Sequence, residues 1–490
     1  MMGRRHAMMV FAALLCGGCA SFMAEPYQTP EVELPDRWIG RVPQEPQANW
    51  PDLQWWRGFR NPELDEFIDA ALAENTDLRA AAARVAQARA GSRVASSFLY
   101  PTLTVPATAG VTDRVGSSRQ DFYDIALGAS YEIDVWGRNR FISEAGEQLL
   151  FASIYDQEVV RITLVADVAT NYFLVLSARD RLRTAEQSLT IARRLEGLID
   201  SQFRAGKVSG LELERQRTVV ASVESVIPPF RQLERTALDS LAVLLGRVPE
   251  RLEVRGESLR PVPLPVVAPG LPSELLERRP DVRRAEADLV ASNADIGAAR
   301  AAMFPSLTLT GSAGYQSTAL SQLFRSSTGF YTVGVDVLGT IFDGGRLAGQ
   351  RDITIARKQE LVENYRKTVL VAFQDVEDAL AGTEHFEAEQ EALLRAAVHA
   401  REAYRLAEKR YYYGAADFTT VLDAQRAYLL AEQAVDPARF SWAASLVGLY
   451  RALGGGWQAG PESQQRDGAA PNAAPPLGQR NAGATVSRNP

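Results

Sequence analysis

Residues 303–311 read Met303-Phe304-Pro305-Ser306-Leu307-Thr308-Leu309-Thr310-Gly311 (MFPSLTLTG), and residues 99–105 read Leu99-Tyr100-Pro101-Thr102-Leu103-Thr104-Val105 (LYPTLTV). In both, an aromatic–proline pair closes an alanine-rich, helix-like run, and apolar and hydroxyl residues then alternate. Proline pushes the residue before it out of the α region, so each pair marks the end of a helix. The alternation that follows has the period of a β-strand.

The two stretches belong to an internal repeat, which bears on the whole fold. Asp77-Leu78 corresponds to Asp281-Val282 and Tyr100-Pro101 to Phe304-Pro305, both at an offset of 204. Gly137-Arg138 corresponds to Gly345-Arg346, Phe203-x-x-Gly206 to Tyr411-x-x-Gly414, and Leu244-Leu245-Gly246 to Ala452-Leu453-Gly454, all at 208. One shift of four residues, between the first strand and Gly137, therefore separates two otherwise collinear halves.

Each half holds two period-two runs, expected as strands over about 101–112 and 122–134, then about 305–316 and 330–342. In all four the odd positions are apolar: Leu103 and Val105, Ile125 and Leu127, Leu307 and Leu309, Val333 and Val335. The even positions are mostly polar, as at Thr102, Thr104, Asp124, Glu132, Thr308, Thr310, Thr332 and Asp336. Length and alternation match transmembrane barrel strands with one face to lipid and one to a lumen. A soluble antiparallel sandwich alternates equally well.

Each strand pair leads into a long proline-free run, 138–205 and 346–413. Narrow apolar stripes run through both: Leu182, Ala185, Leu189, Ala192, Leu195, Ile199, Phe203, and Leu393, Ala397, Ala400, Tyr404, Ala407, Tyr411. At 1.5 Å per residue each helix is about 100 Å long, and so long a helix with a narrow stripe signals a coiled coil. Gly206 and Gly414 suit the positive-φ position just past a helix end. Ser209 and Glu212 form a capping box for the returning helix, Gly210 opens it, and Asp417 is the expected N-cap in the second half. Pro228-Pro229 and Pro437 predict a kink or break in the returning helices. The coiled-coil hairpins thus span about 138–246 and 345–454.

The expected organisation is a leader over 1–18, an extended arm over 19–60, a first repeat over 61–246 and a Pro-rich linker over 247–270. A second repeat over 271–457 and a disordered tail over 458–490 complete it. Asn61-Pro62-Glu63 reads as an N-cap, first-turn proline and acidic first turn, with a further helix break near Asn75. At the start, Arg4 and Arg5 precede the short apolar run Met8–Leu15 and then Cys16-Gly17-Gly18-Cys19-Ala20. That is an export signal, too short to span a bilayer. Its end resembles a bacterial lipobox with Cys19 as the lipidated N-terminus, apart from Cys16 where the pattern prefers leucine; a plain signal peptide is the alternative. A redox pair does not fit, because Cys16 and Cys19 sit in the leader. Ala20, rather than an aspartate, directs such lipoproteins to the outer membrane.

With 46% hydrophobic residues, mean hydropathy −0.15 and formal charge −7, the composition excludes a polytopic helical membrane protein and gives no basic nucleic-acid surface. The three histidines, His6, His385 and His399, have no metalloprotease spacing, and no nucleophile elbow or P-loop is present, so an enzyme is not expected. A sheet in lipid must close on itself. Four strands cannot, two chains give an eight-stranded barrel filled by side chains, and three chains give twelve strands around a bore.

The chain resembles the TolC family of outer-membrane efflux lipoproteins, in its OprM/NodT-like branch. The residues that carry this are Cys19 with Tyr27-x-x-Pro30, Trp55-Trp56 with Asn61-Pro62-Glu63-Leu64, Tyr100-Pro101, and Asp134-Val135-Trp136-Gly137-Arg138. They continue with Arg278-Arg279-Pro280-Asp281-Val282, Phe304-Pro305, Phe342-Asp343-Gly344-Gly345-Arg346 and Val421-Leu422-Asp423-Ala424-Gln425. The resemblance implies an α+β membrane protein: a trimeric twelve-stranded outer-membrane β-barrel, four strands per chain, continuous with a periplasmic α-helical coiled-coil barrel. It implies a passive efflux conduit that docks tip first on a periplasmic adaptor and an inner-membrane pump, of the RND type. It implies diacylglycerol and palmitoyl groups on Cys19 and no other cofactor. Adaptor contacts fall on the tip residues Gly206, Ser209, Gly210, Gly414 and Asp417. Tyr411 matches the family's gating tyrosine, Glu212 its acidic partner and Asp423 an acidic constriction residue, while the basic gate position is Ala416 and a second acidic position is Thr420. Arg204, Arg405 and Arg410 are the candidate replacements for the missing cation. Glu212 is equally explained as a cap, Tyr411 as stripe packing and Asp423 as a solvated helix face. A type I protein-secretion conduit and a non-conducting periplasm-spanning lipoprotein are the alternatives to an efflux channel.

Overall fold

The computed structural model describes residues 25–35, 37–40, 52–113, 119–270 and 272–457. The leader, Cys19 and the tail 458–490 lie outside the described residues. Asn61 caps α1 (Pro62–Glu74) by accepting the N–H groups of Glu63 and Leu64, and Asn75 caps α2 (Thr76–Ser97) through Asp77 and Leu78. β1 (Thr102–Thr104), β2 (Ala107–Thr112) and β3 (Gln120–Ile133) precede the helical hairpin α3 (Arg138–Arg204) and α4 (Gly210–Leu244). The second half runs α5 (Pro280–Ala301), β4 (Ser306–Ser317), β5 (Gly329–Leu338), α6 (Arg346–Tyr412) and α7 (Phe418–Ala452). Helix lengths repeat: 22 residues in α2 and α5, 67 in α3 and α6, 35 in α4 and α7.

The strands form one antiparallel sheet in the order β1/β2, β3, β4, β5. Two expectations need correction. The run over 101–112 is split at Val105-Pro106, because proline has no N–H to donate to the ladder. Its register survives: Thr104 faces Gly128 and Ala107 faces Ile125, and the Ala126 N–H still donates to the Pro106 carbonyl at 3.1 Å. The run over 330–342 ends early, at Leu338, where β4 offers no further partner.

Register settles which side chains share a face. Leu103 faces Ala129, Leu127 faces Ala313, Tyr131 faces Leu309, and Leu309 faces Val335, so the odd positions form one apolar face, apart from Asp121 and Ser317 at the far end of the sheet. Glu132 faces Thr308, and Thr308 faces Asp336, on the polar face. The outer flanks of β1/β2 and β5 are open. The aromatic–proline motif is the joint below this sheet. The Trp136 indole N–H donates to the Pro305 carbonyl at 2.8 Å, and its ring stacks on Phe304 at 4.8 Å between centroids.

α3 is the spine of the chain, packed by α1, α2, α4, α5 and α7. The main core gathers around its middle: Val168, Tyr172, Phe173 and Leu176 meet Trp55, Phe59, Leu64 and Leu241. Trp55 stacks on Tyr450 of α7 at 4.5 Å. The Pro-rich linker packs into this core through Val254, Leu259, Val262 and Val267. Arg439 donates to the Leu259 carbonyl at 3.0 Å and Arg260 to Asp436 at 2.9 Å, which pins the linker to α7. α4 and α7 run unbroken through Pro228, Pro229 and Pro437. Pro228 and Pro229 lie on the exposed face of α4, so the carbonyls they leave without a donor face solvent.

Candidate functional site

The helical tip, where both hairpins reverse, holds the residues that the sequence offers as candidates for a gate and for docking. Gly206 and Gly414 take φ of 71° and 72°. At the first reversal Gly206 N–H donates to Phe203 O and Lys207 N–H to Gln202 O, both at 2.9 Å. At the second Gly414 N–H donates to Tyr411 O at 2.9 Å and Ala415 N–H to Arg410 O at 2.8 Å. Both ends are Schellman motifs, which need the left-handed glycine. The returning helices start on different caps. Ser209 and Glu212 form a reciprocal capping box before Gly210, and the Ser209 N–H donates to Glu212 at 2.9 Å. Asp417 accepts from the Thr420 N–H at 2.8 Å.

Charge at the tip follows these bonds. Hydrogen bonds from Ser209, its hydroxyl first, hold the Glu212 carboxyl below its usual range. The hydroxyl and N–H of Thr420 do the same for Asp417. Burial and the charge of Glu212 push the Tyr411 phenol above its usual value. The Tyr411 hydroxyl donates to Gln202 Oε1 at 2.6 Å, so its partner within the chain is Gln202 on α3 and not Glu212. Asp423 is exposed between buried Leu422 and Gln425 and points away from the packed seam. Ala416 is half-buried.

None of the proposed replacement cations bridges the hairpins. Arg204 pairs with Asp200 at 2.7 Å, Arg405 with Glu402 at 2.6 Å, and Arg410 reaches only the Ala415 carbonyl, at 3.5 Å. The bridge is made by Arg194 of α3, whose Nη2 lies 2.6 Å from Glu408 Oε1 on α6. Arg194, Glu408 and Gln202 carried no sequence signal, since each pairs across more than two hundred residues. A shared apolar cluster lies beneath them, with Leu195 and Ile199 from α3, Leu213 from α4, Tyr404 from α6, and Phe418 and Val421 from α7. Within it the Gln216 side chain donates to the Ala192 carbonyl at 2.9 Å, whereas fully buried Gln425 has no partner for either side-chain atom.

At the other end of the molecule the polar sheet face carries Asp124, Glu132 and Asp336, and among the described residues no strand carries Lys or Arg. Thr310 donates to Asp336 at 3.1 Å. Among the described residues no group of three or more His, Cys, Asp or Glu side chains could hold a metal ion.

Residues 67–247 and 271–455 match the family described as outer membrane efflux protein. The chain is 35% identical to the pyoverdine export outer membrane protein OpmQ of Pseudomonas aeruginosa, over 93% of this chain and 98% of that protein. It is 33% identical to the probable outer membrane lipoprotein SilC of Salmonella typhimurium, over 90% and 97% of the two chains. The open-state MtrE outer membrane channel of Neisseria gonorrhoeae superposes with a TM-score of 0.80 at 32% identity, covering 89% of this chain and 98% of that one.

Proposed function

The chain belongs to the outer membrane efflux protein family, and on that premise we propose that three copies close into one conduit serving a tripartite pump. The observation that carries the trimer is the open-edged sheet. Its apolar face is continuous across every described strand, so it is built for lipid. Each backbone group left unpaired in lipid costs several kcal/mol, so both edges must find strands. The strands alternate up and down, and β5 of one copy runs antiparallel to β1/β2 of another. Three copies give a twelve-stranded barrel wide enough for an aqueous bore, with the helical hairpins extending it as a tunnel.

Transport along this path is passive: the described residues hold no energy-coupling motif, and the pump supplies the work. Tyr411, Glu212 and Asp423 close the tunnel at the tip, and the cap residues Gly206, Ser209, Gly210, Gly414 and Asp417 present the rigid turns on which the adaptor docks. The inner-membrane partner is a pump of the RND type. Lipid on Cys19 anchors the arm to the same membrane, a reading supported by the lipoprotein name of SilC. The test is conductance. Purified protein should have the mass of three chains in detergent and conduct ions in planar bilayers. Tyr411→Phe with Asp423→Ala should raise that conductance. A monomer without pores would sink the channel, and unchanged conductance in the double variant would remove these residues from the gate.

A further inference from the structure

The turn between β4 and β5, Thr318–Thr328, is a built structure at the end of the sheet away from the helices. It holds two short 3-10 turns, Leu320–Gln322 and Ser326–Thr328. The Gln322 N–H donates to the Ala319 carbonyl at 3.0 Å, and the Thr328 hydroxyl lies 2.6 Å from the Leu323 carbonyl. Leu323 is buried, while Leu320 and Phe324 stand out at 64% and 71% exposure. With exposed Tyr315 and Tyr331 they make an apolar rim, and an ordered turn that holds such side chains outward needs a surface to receive them.

We propose that this turn is seated in the membrane edge: Leu320 and Phe324 enter the lipid layer, and Arg325 takes the phosphate of an outer-leaflet lipid headgroup. The ring of Phe324 meets Tyr315 edge-on at 5.6 Å. Tyr315 is an odd residue of β4 and belongs to the apolar face, so the turn leans outward over that face and not across the bore. The strands set the height. From Leu307 to Tyr315 the face rises about 26 Å along β4, or about 20 Å of depth at the usual tilt of about 40°. That is most of an apolar band about 25 Å tall, so Tyr315 stands near its outer edge, where aromatic girdles sit. Tyr315 faces Ile125, and Asp121 lies on the same face of β3 about 13 Å further out. A carboxylate is expensive in hydrocarbon, so the apolar layer ends between these two levels. Phe324 is tied to the first level, and Arg325 follows it in the turn.

Charge points to the same partner. Arg325 is the only charged residue between Ser306 and Asp336. Its side chain is exposed and makes no ion pair among the described residues. A guanidinium can hold a phosphate through two parallel N–H donors. Two apolar anchors beside one unpaired guanidinium, at the boundary of hydrocarbon and headgroups, fit an anionic lipid that carries phosphate.

This inference rests on the lipid-facing sheet proposed above, and spin labels separate the two. Nitroxides on Leu320→Cys, Phe324→Cys, Val333→Cys and Thr332→Cys are compared in the assembled protein in vesicles, with the unsubstituted chain as the blank for Cys16 and Cys19. Val333→Cys reports the apolar face and Thr332→Cys the polar face. Both turn labels should match Val333→Cys, with collisions with oxygen favoured over a water-soluble nickel chelate several-fold more than at Thr332→Cys. If both match Thr332→Cys while Val333→Cys reads lipid, the turn is not seated and the barrel stands. If Val333→Cys also reads water, the lipid face falls and this inference with it. The phosphate is tested with lipid A, a phosphorylated glycolipid, added to phosphatidylcholine vesicles. Lipid A should raise the temperature at which the assembly dissociates. Arg325→Ala should lose most of that rise, and Arg325→Lys should retain most of it. A rise that Arg325→Ala leaves intact, or no rise in the unsubstituted protein, would overturn the headgroup site.

Discussion

α3 and α6 have the same length and the same place in their repeats, yet α3 buries 23 of its 67 residues and α6 buries ten. The difference is position. α3 sits inside the protomer with helices on several sides, and α6 packs mainly on α5 and α7, meeting α3 only near the tip. Composition follows. α3 is long and apolar enough to cross a membrane, but more than half of its most apolar window is buried within the chain, so it is a core helix. α6 has no Lys or Arg between Lys367 and Arg395, while it carries Asp375, Glu377, Asp378, Glu384, Glu387, Glu389 and Glu391. Two copies of one helix have become a spine and a flank, and the flank keeps exposed leucine where the spine keeps buried isoleucine.

The largest expected effect breaks that comparison directly. Ile162→Ala should destabilise the separated chain by about 2–5 kcal/mol, the usual range for a buried aliphatic side chain cut to alanine. Leu370→Ala, its repeat equivalent, should change the separated chain by no more than about 0.5 kcal/mol, because it empties no packed space there. In the assembled protein Leu370→Ala should instead lower resistance to dissociation. Denaturant titration of dissociated chains, set beside the detergent temperature at which trimers fall apart, checks both. Equal losses in the separated chain would mean that α6 is not a flank.

A smaller effect distinguishes the two returning helices. Gln216 in α4 has its amide nitrogen bonded to Ala192 and only its Oε1 without a partner, and Gln425 in α7, equally buried, has neither side-chain atom bonded. A buried polar group without a partner costs about 1–3 kcal/mol, whereas a made hydrogen bond is worth only about 0.5–1.5 kcal/mol. Gln425→Leu should therefore stabilise the tip and lower conductance, and Gln216→Leu should weaken it. Hydrogen exchange of the α7 amides reads the difference. Slower exchange in Gln425→Leu is the expected result, and faster exchange would mean that the seam depends on this glutamine.

What the sequence disclosed follows the range of the interactions concerned. Capping at Asn61, Ser209 and Asp417 acts over two or three residues and leaves a local pattern. The repeat and the common face of the strands are periodic, so counting finds them; the β-sheet register then places Leu103, Leu127, Leu309 and Val335 on one face. Pro106 was visible as a residue, but its effect on the ladder depends on β3, and the early end of β5 depends on a strand another copy must supply. The linker read only as Pro-rich, and its packing comes from Arg439 and Asp436 of α7, which lie outside the segment and bond Val262 and Arg260 within it. At the tip the residue types proposed for a gate were recognisable, but the pairings were not. Tyr411 has Gln202, and the cation that bridges the hairpins is Arg194, two turns or more from the expected position.

That bridge supports the smallest prediction. Arg194 is 65% exposed and Glu408 30% exposed at the side chain, so solvent screens the pair and its worth is about 0.2–1 kcal/mol. An upper value near 1 kcal/mol corresponds to about a fivefold change in the population of open tips. Arg194→Ala should raise open probability in bilayers by up to that factor, and more visibly at low salt, where exposed ion pairs are strongest. Arg204→Ala should leave it unchanged, because Arg204 pairs with Asp200 on its own helix and holds nothing across the seam. Combining Arg194→Ala with Glu408→Ala should add little to either alone, since one bond is removed in all three. If Arg204→Ala opened the channel as much as Arg194→Ala, tip charge in general would be closing it. The specific link from the spine to the flank would then have no part in the gate.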